Sequence, residues 1–553
     1  MRHTRQWLRS VLGFYKLDPT GFIVGVAFYC FALTPSLIPR TAFLTGMIAG
    51  ISFAVGYGVG ILIELALSKA GIPTYIPKRY RHRFWLLLAV VAVTIWLAFG
   101  FMAAGWQNEV RKLVGRPTLE GFDLLTIWFW ALVSGTISLL LARGVGRGHR
   151  WIRRQINRVI PRRVSVLFSL AITVTLGLLL LNGVLFHGFR TVSNNIFRAA
   201  DGRTDNGVSQ PASSFRSGSK ASYVAWKSLG RQGRTFVGSG PSEKDLAKFR
   251  SADTVKMPIR IYVGADSAVT TKERAKLAVR ELKRTGAFER KVLVVATPTG
   301  TGWLEPEAVD SLEYMWGGDT AIVATQYSYL PSWISFLVDQ ENAADTGRTL
   351  FEEIYNVWSQ LPADQRPQLY AYGLSLGSFG SQAAFSGESD LANRVDGAIF
   401  VGSPNFSEPW RYFTDNRDSG SREILPVYKG GRTVRFAATA TGLQTDGWQQ
   451  PRILYLQHAS DPVVLWGYNL IWHQPDWLKE PRGSDVTTRI RWYPFVTFLQ
   501  VTIDQVLALD VPSGHGHDYS ATMPDAWAAL GTPSDWTPAK ATELRSLISS
   551  YNK

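Results

Sequence analysis

The chain has 553 residues and a formal net charge of +16, which suggests more than one domain and an anionic partner such as nucleic acid or a membrane. Residues 1–200 carry 23 Lys and Arg against 5 Asp and Glu, whereas the remainder carries 36 against 38. The basic excess therefore lies in the part with long apolar runs, which indicates a membrane protein and excludes a nucleic-acid partner. The single cysteine, Cys30, excludes a disulfide framework and a cysteine zinc site.

Five apolar segments in the first 200 residues predict five membrane-spanning helices. Each segment approaches the roughly 20 residues that are needed to cross about 30 Å of hydrocarbon. The first segment has no small-residue cleavage site, so it is not a cleavable signal peptide. The segments cover residues 20–38, 42–68, 84–106, 122–142 and 164–187.

The distribution of Lys and Arg between these segments predicts the orientation. The N-terminus and the connections at 78–83 and 143–163 are strongly basic, while the connections near Arg40 and at 109–120 are neutral or mixed. Because basic loops stay in the cytoplasm, five crossings place the N-terminus inside and the C-terminal domain outside. We therefore predict a multi-pass protein of the inner or plasma membrane with an extracytoplasmic C-terminal domain.

The second apolar segment carries glycines at G-x-x-x-G spacing. This spacing favours close packing between helices over a path for substrate. The glycines are Gly46, Gly50, Gly56, Gly58 and Gly60.

The sequence pattern of the C-terminal part predicts an α/β domain. Residues 1–199 form the predicted transmembrane helical domain, 200–257 a linker and entry segment that is polar and Gly/Ser-rich up to residue 222, and 258–553 the catalytic domain. Apolar runs that alternate with helical patterns predict a mainly parallel sheet. The predicted strands are 259–263, 291–296, 321–325, 368–372, 398–401 and 453–456, with helices at 271–284 and 349–360.

The run Gly373-Leu374-Ser375-Leu376-Gly377 is a G-x-S-x-G pattern between a predicted strand and a predicted helix. Such a turn is a nucleophile elbow, which presents a serine hydroxyl at the end of the sheet of an α/β-hydrolase. We expect Ser375 to be the nucleophile and the N–H of Leu376 to be one donor of an oxyanion hole.

A serine nucleophile needs a base, and the base needs an acid to orient it. Asp461 follows the predicted strand 453–456 directly, whereas the other downstream acids that we considered have no strand before them. We therefore predict that Asp461 is the acid, since α/β-hydrolases carry serine, acid and histidine in that chain order. The acids set aside are Asp415, Asp418 and Asp446.

The histidine is sought in the glycine-bracketed loop Gly514-His515-Gly516-His517. We favour His515 as the base because glycine flanks it on both sides, with His517 as the alternative. The two histidines could also be a metal pair, but no cluster of carboxylates or cysteines at metal spacing completes a ligand set. We predict no metal and no cofactor.

The second donor of an oxyanion hole comes, in this fold, from the loop after an early strand. Here strand 291–296 leads into a run of alternating Thr and Gly, which allows close backbone approach. A phosphate-binding loop is the competing interpretation, but no lysine follows at the required spacing. The candidate residues are Thr299, Gly300, Thr301 and Gly302.

With these residues in place, the chain resembles a family of integral-membrane α/β-hydrolases known mainly from actinobacteria. The resemblance rests on the runs FALTPSLIPR, GLSLGSFG and GHGHDY. It implies a multi-span N-terminal domain fused to a hydrolase domain, and a triad of Ser375, Asp461 and a histidine of the GHGH run. It implies no particular substrate.

Two predicted inserts, 405–450 and 462–508, are rich in tryptophan, which is suited equally to an acyl pocket, to contact with lipid, or to packing of a lid. We expect a membrane-anchored serine hydrolase or acyltransferase that acts on a lipid or cell-envelope ester, with a slight preference for acyl transfer. The partners expected are the lipid bilayer and a lipid or envelope-glycolipid ester. The alternative is a non-catalytic receptor or assembly factor on the same fold, while a transporter is disfavoured.

Overall fold

The structure is a computed structural model that describes residues 17–72, 77–121, 123–158, 161–179, 187–251 and 254–552. It divides into two compact units. The N-terminal unit comprises residues up to 182 together with 468–507, and the C-terminal unit comprises 183–467 and 508–553. The second tryptophan-rich insert therefore belongs mostly to the N-terminal unit, which differs from the predicted boundaries of 1–199, 200–257 and 258–553.

The N-terminal unit is helical. Its helices are α1 (Pro19–Leu33), α2 (Ala42–Lys69), α3 (Lys78–Leu113), α4 (Leu124–Ile156) and α5 (Arg162–Leu179). Among the described residues, three helices are long and apolar enough to cross a membrane, namely Ala42–Lys69, Arg79–Leu113 and Leu124–Ile156.

Of the five predicted spans, three therefore correspond to helices that are long and apolar enough to cross a membrane. Helix α1 has 15 residues and a length of about 22 Å, which is short of the ~30 Å of hydrocarbon. The predicted first span, 20–38, includes non-helical residues after Leu33. The predicted fifth span, 164–187, includes residues 180–186, which lie outside the described residues.

The glycines of α2 allow close helix packing, as predicted. A Cβ at Gly50 would lie 2.2 Å from the carbonyl oxygen of Ala131 in α4, and one at Gly60 would lie 2.6 Å from the Cα of Gly21 in α1. A side chain at either position would push the helices apart. Gly46 and Gly56 are similarly enclosed, whereas a Cβ at Gly58 would meet open space.

The insert packs within the N-terminal unit through its helix α17 (Val496–Asp504). The Gln500 side-chain amide donates hydrogen bonds to the carbonyls of Phe31, Ala32 and Thr34, at 3.3, 3.3 and 3.1 Å. These carbonyls lie at the end of α1, where intrahelical donors run out. The ring of Tyr493 stacks on that of Phe31 at 4.2 Å. The insert therefore completes the C-terminal end of α1.

A buried ion pair adds to this packing. Arg40, in the turn between α1 and α2, faces Asp504 with a distance of 3.9 Å from Nε to Oδ1, and both side chains are 0% exposed. The Asp504 carboxylate also accepts hydrogen bonds from the Ser36 hydroxyl and from the Leu37 N–H. Burial raises the pKa of Asp504 to about 6, although Arg40 opposes the shift. Desolvation therefore outweighs the attraction of Arg40 in its effect on the pKa of this carboxyl group.

The C-terminal unit contains a parallel sheet, as predicted. Within the described residues, seven strands form one sheet in the order β1-β3-β2-β4-β5-β7-β6, and every neighbouring pair is parallel. The strands are β1 (Ile259–Val263), β2 (Val292–Thr297), β3 (Thr320–Thr325), β4 (Gln368–Leu374), β5 (Gly397–Val401), β6 (Val434–Ala437) and β7 (Arg452–Leu456). Strand β6 lies in the first predicted insert and was not predicted.

Helices connect these strands. The helix α9 (Thr271–Thr285) shows why the predicted segments fold as they do: Thr270 and Glu273 form a capping box at its start, and Gly286 ends it with φ of 68°. The helices of this unit are α6 (His187–Asp201), α7 (Gly230–Gly238), α8 (Glu243–Arg250), α9 (Thr271–Thr285), α10 (Pro306–Met315), α11 (Ser332–Val338), α12 (Gln340–Trp358), α13 (Leu376–Gln382), α14 (Glu388–Arg394), α15 (Glu408–Asp415), α16 (Pro462–Leu465), α18 (Met523–Leu530) and α19 (Pro538–Ser549).

The segment that was predicted to be a linker is packed against this unit. Glu281 of α9 accepts hydrogen bonds from the hydroxyls of Ser217 and Ser222 and from the Tyr223 N–H. The Ser217 N–H in turn donates to the carbonyl of Arg260 in β1. The small polar residues of this segment thus fit against the sheet instead of forming a free tether.

Candidate functional site

Ser375 lies in a tight turn between β4 and α13. Its backbone has φ of 59° and ψ of −128°, a strained conformation that non-glycine residues rarely adopt. Its N–H donates to the carbonyl of Val401 at 2.8 Å, which ties the turn to the end of β5. The residue is 6% exposed. This is the geometry of a nucleophile elbow.

The two glycines of the pattern make that turn possible. A Cβ at Gly373 would lie 2.4 Å from the carbonyl oxygen of Gly377, and a Cβ at Gly377 would lie 2.2 Å from that of Thr297. Both contacts involve backbone atoms, which cannot move aside as the tip of a side chain can. The sequence pattern is therefore explained by sterics.

Asp461 follows β7 and is fully buried. Its Oδ1 accepts the N–H of Val463 at 2.8 Å, and its Oδ2 faces Nδ1 of His517 at 2.7 Å. The hydroxyl of Tyr519 also donates to Oδ2, at 2.6 Å. Such bonds to a carboxylate are stronger than those between neutral groups, so they hold its orientation.

His517 is paired with this carboxylate and is 6% exposed. Because Nδ1 faces Asp461, we assign the proton to Nδ1, which leaves Nε2 as an acceptor. Nε2 has no hydrogen-bond partner among the described residues. The ring also lies against Gly402, where a Cβ would approach its Cε1 to 2.4 Å. Gly402 directly follows Val401, which binds the Ser375 N–H, so the ring lies beside the elbow.

The preference for His515 does not agree with this geometry. The structure brings His517, the alternative, to Asp461. The backbone decides between them: the Gly516 N–H donates to the Ser460 hydroxyl, and the His517 N–H donates to the carbonyl of Ala508. These bonds fix the turn so that the second histidine of the loop faces the acid.

Tyr519 and His458 brace the same loop, and the sequence analysis missed both. The Tyr519 hydroxyl accepts the backbone N–H of His458 at 3.0 Å while it donates to Asp461. The two rings stack at 4.2 Å, and Nδ1 of His458 lies 3.0 Å from the carbonyl of Gly516. A sequence signal was available, since Tyr519 closes the GHGHDY run and His458 lies between β7 and Asp461.

The loop after β2 contains the predicted oxyanion-hole residues. The Thr299 N–H donates to the carbonyl of Trp303 at 3.0 Å, and the Gly302 N–H donates to that of Thr299 at 2.8 Å. These two donors are used within the loop. The N–H groups of Gly300 and Thr301 donate to no other group in the described part of the chain. The N–H of Leu376 is the first of helix α13 and has no intrahelical acceptor.

A buried carboxyl group follows this loop. Glu305 is 4% exposed and precedes α10. Burial raises its pKa well above the usual value, and repulsion from Glu307 and Asp518 adds to the shift. Burial therefore favours the neutral form of this carboxyl group. No group of three or more His, Cys, Asp or Glu that could hold a metal ion occurs within the described ranges.

Sequence comparison agrees with this architecture. The profile of an alpha/beta-hydrolase family matches residues 259–544, and the profile of the N-terminus of an alpha/beta-hydrolase family matches residues 33–241. The chain belongs to this α/β-hydrolase family. The family thus includes the helical N-terminal part as well as the sheet that carries the elbow.

Comparisons with individual proteins add little. No curated protein matches the chain. Among solved structures, a cutinase from Trichoderma reesei in complex with a phosphonate inhibitor has 13% identity, with 47% of this chain and 89% of that chain covered and a TM-score of 0.21. A likeness at this level does not bear on activity.

Proposed function

We propose that this chain is a bacterial membrane-anchored serine hydrolase or acyltransferase with Ser375, Asp461 and His517 as its triad. The observation that carries the proposal is the strained turn at Ser375, which follows β4, together with the Asp461–His517 pair, whose acid follows β7 on the other side of β5 in the sheet. A structural protein has no need of a strained serine, since such a conformation costs of order 1–3 kcal/mol.

In the proposed reaction, the hydroxyl oxygen of Ser375 attacks the acyl carbonyl of an ester. His517 accepts the serine proton at Nε2 and returns it to the departing alcohol oxygen. Asp461, held by Tyr519, stabilises the imidazolium that forms. Water or a second alcohol then attacks the acyl-enzyme, with His517 again acting as the base.

The negative oxygen of the intermediate is held by backbone donors. Leu376 supplies the first N–H. Within the predicted loop we assign the second donor to Gly300 or Thr301, because the N–H groups of Thr299 and Gly302 already bond within the loop. Removal of one such donor typically raises the activation barrier by about 2.7–4 kcal/mol.

The substrate class that we propose is a lipid or cell-envelope ester, because three helices of the same chain are long and apolar enough to enter a membrane. The tryptophans of the inserts give limited support for a lipid-lined site. Trp472 is 60% exposed, but most of the others are packed inside the protein. The buried ones are Trp410, Trp448, Trp466 and Trp477.

The proposed triad is tested by covalent labelling of the purified full-length protein with a fluorophosphonate. We expect labelling of the wild type, none in Ser375→Ala, and strong loss in His517→Ala but not in His515→Ala. Labelling that persists in Ser375→Ala, or that depends on His515 and not on His517, would refute the assignment. Complete absence of labelling in a folded wild type would favour a non-catalytic receptor.

Hydrolysis and transfer share the acyl-enzyme, so the products must separate them. A short-chain activated ester is supplied with and without an envelope glycolipid, and the products are counted by mass spectrometry. Acyl glycolipid in the second sample supports transfer. If free acid is the only product and forms at the same rate in both samples, the protein is an esterase.

For the topology we retain the proposal of a cytoplasmic N-terminus and an extracytoplasmic C-terminal unit. If the basic connections are cytoplasmic, helices α2, α3 and α4 alone would return the chain to the cytoplasm at the basic end of α4. The proposal therefore requires two further crossings, one within 20–38 and one within 164–187. A reporter after Lys553 should be active only outside, and one within 144–162 only inside. A cytoplasmic C-terminal reporter would overturn this topology and the envelope substrate with it.

A further inference from the structure

A groove of about 250 Å³ lies in the N-terminal unit, at the end of helix α3. One wall is apolar and comes from Phe99, Met102 and Trp106 of α3. Thr34 and Pro35 of the α1–α2 turn form the floor. The remaining wall belongs to the insert, and its lining residues are Arg489, Arg491 and Tyr493.

Three side chains of this groove, Arg491, Trp106 and Tyr493, keep donors that bond to nothing within the described part of the chain. Arg491 is exposed and makes no ion pair within the described residues. Of its guanidinium nitrogens, only Nη1 forms hydrogen bonds there, and it donates to the carbonyls of Thr488 and Ile490. The indole N–H of Trp106 and the hydroxyl of Tyr493 donate to no group in the described part of the chain. The groove thus offers a guanidinium and two neutral donors at one place.

The polar groups of Thr34, in contrast, are already bonded within the protein. The carbonyl of Thr34 accepts from Arg40 and from Gln500. The hydroxyl of Thr34 donates to the carbonyl of Phe31. Arg489 is paired with Glu109, with 3.0 Å between Nε and Oε2, so Arg491 provides the uncompensated charge. A ligand that fits must therefore bring oxygen acceptors and negative charge.

The position of the groove indicates that this anion belongs to a lipid. Phe99 and Met102 lie in the apolar part of α3, and Met102 is 48% exposed. Polar residues begin just after Trp106, with Gln107, so the groove spans the point where the apolar surface ends. Tryptophan, tyrosine and arginine at that level are typical of the membrane interface.

We propose that this groove binds an anionic phospholipid, with the phosphate on Arg491, Trp106 and Tyr493 and an acyl chain on Phe99 and Met102. The guanidinium pairs with the phosphodiester oxygens, while the exposed apolar surface of α3 is covered by the chain. Because the insert supplies Arg491 and Tyr493, the bound lipid also joins the insert to α3. This site is made entirely of residues of the N-terminal unit and is independent of the proposed triad.

The experiment uses full-length protein that has been purified in a mild detergent and freed of lipid. Phosphatidylglycerol and phosphatidylcholine with identical acyl chains are titrated, and bound lipids are counted by native mass spectrometry. We expect phosphatidylglycerol to bind about tenfold more tightly, and Arg491→Gln to remove this preference. Arg411→Gln, an exposed arginine of the C-terminal unit, is the charge-matched control and should keep it.

Two further measurements keep the result interpretable. Met102→Ser should weaken both lipids, since it removes apolar surface and no charge. Soluble glycerol phosphate should fail to compete, because it lacks the chain. Equal binding of the two lipids, a preserved preference in Arg491→Gln, or full competition by glycerol phosphate would each overturn the proposal. Fluorophosphonate labelling of Ser375 should be the same in Arg491→Gln as in the wild type, which separates this site from the proposed triad.

Discussion

Substitution of Gly402 by alanine should disable the proposed base while leaving the fold in place. The new Cβ would lie 2.4 Å from Cε1 and 2.8 Å from Nδ1 of His517. To reach an ordinary carbon–carbon contact, the ring must move by roughly 1 Å. Such a movement breaks the 2.7 Å contact with Asp461, and a misplacement of this size lowers a rate by about 100-fold. The residue also has φ of 52°, so alanine adds a backbone cost of about 1–2 kcal/mol.

The control for that backbone cost is Gly430→Ala. Gly430 has φ of 65° in the same unit, but a Cβ there meets nothing within 4 Å. Both variants should melt a few degrees below the wild type, whereas only Gly402→Ala should lose about 100-fold in the rate of fluorophosphonate labelling. Labelling of Gly402→Ala at the wild-type rate, or an equal loss in Gly430→Ala, would refute the steric argument.

Three further predictions follow from buried polar groups. Tyr519→Phe should lower the free energy of unfolding by about 1.5–3 kcal/mol, because it removes a hydrogen bond to a carboxylate. Tyr455→Phe removes a hydrogen bond to a neutral amide and should lower it by only about 1 kcal/mol. Denaturant titration of both variants tests this difference. Because the pKa of Glu305 is raised in the folded protein, this group contributes stability below pH ~4.5 that is lost as the pH rises toward its pKa in the folded state. Glu305→Gln should therefore make the melting temperature depend less on pH. Equal pH dependence of the melting temperature in the variant and the wild type would contradict this. Asp504→Leu alone should lower the free energy of unfolding by about 3–5 kcal/mol, because it leaves the buried Arg40 without its ion-pair partner. The double variant Arg40→Met with Asp504→Leu should lose less stability than the sum of the two single variants. Thermal melting of the wild type and the three variants in detergent tests this.

The sheet could be predicted from the sequence because its strands are buried on both faces. Runs such as 259–263 and 453–456 are nearly continuous in apolar residues, which distinguishes them from the surrounding helical patterns. Strand β6 escaped prediction because it is short and lies at the edge of the sheet, inside a polar insert. The elbow was predictable because its requirement for glycine is local to the turn.

The partners in the site were harder to predict because they depend on contacts between distant parts of the chain. His515 and His517 have similar neighbours in the sequence. Only the bonds of Gly516 to Ser460 and of His517 to Ala508 decide which ring faces the acid. The same reason explains why a Gly/Ser-rich segment at 200–222 read as a linker, since its acceptor, Glu281, lies far along the chain.

The path of the chain connects the site to the N-terminal unit more closely than the predicted domain order did. Asp461 and His517 both belong to the C-terminal unit, but the segment between them, 468–507, folds with the N-terminal helices. There Val496 is fully buried in the apolar cluster that includes residues of α1 and α2. A chain that began at residue 200 would therefore carry α17 without its partners and would expose that apolar face to water. The fold of the segment that links the proposed acid to the proposed base therefore depends on the N-terminal unit.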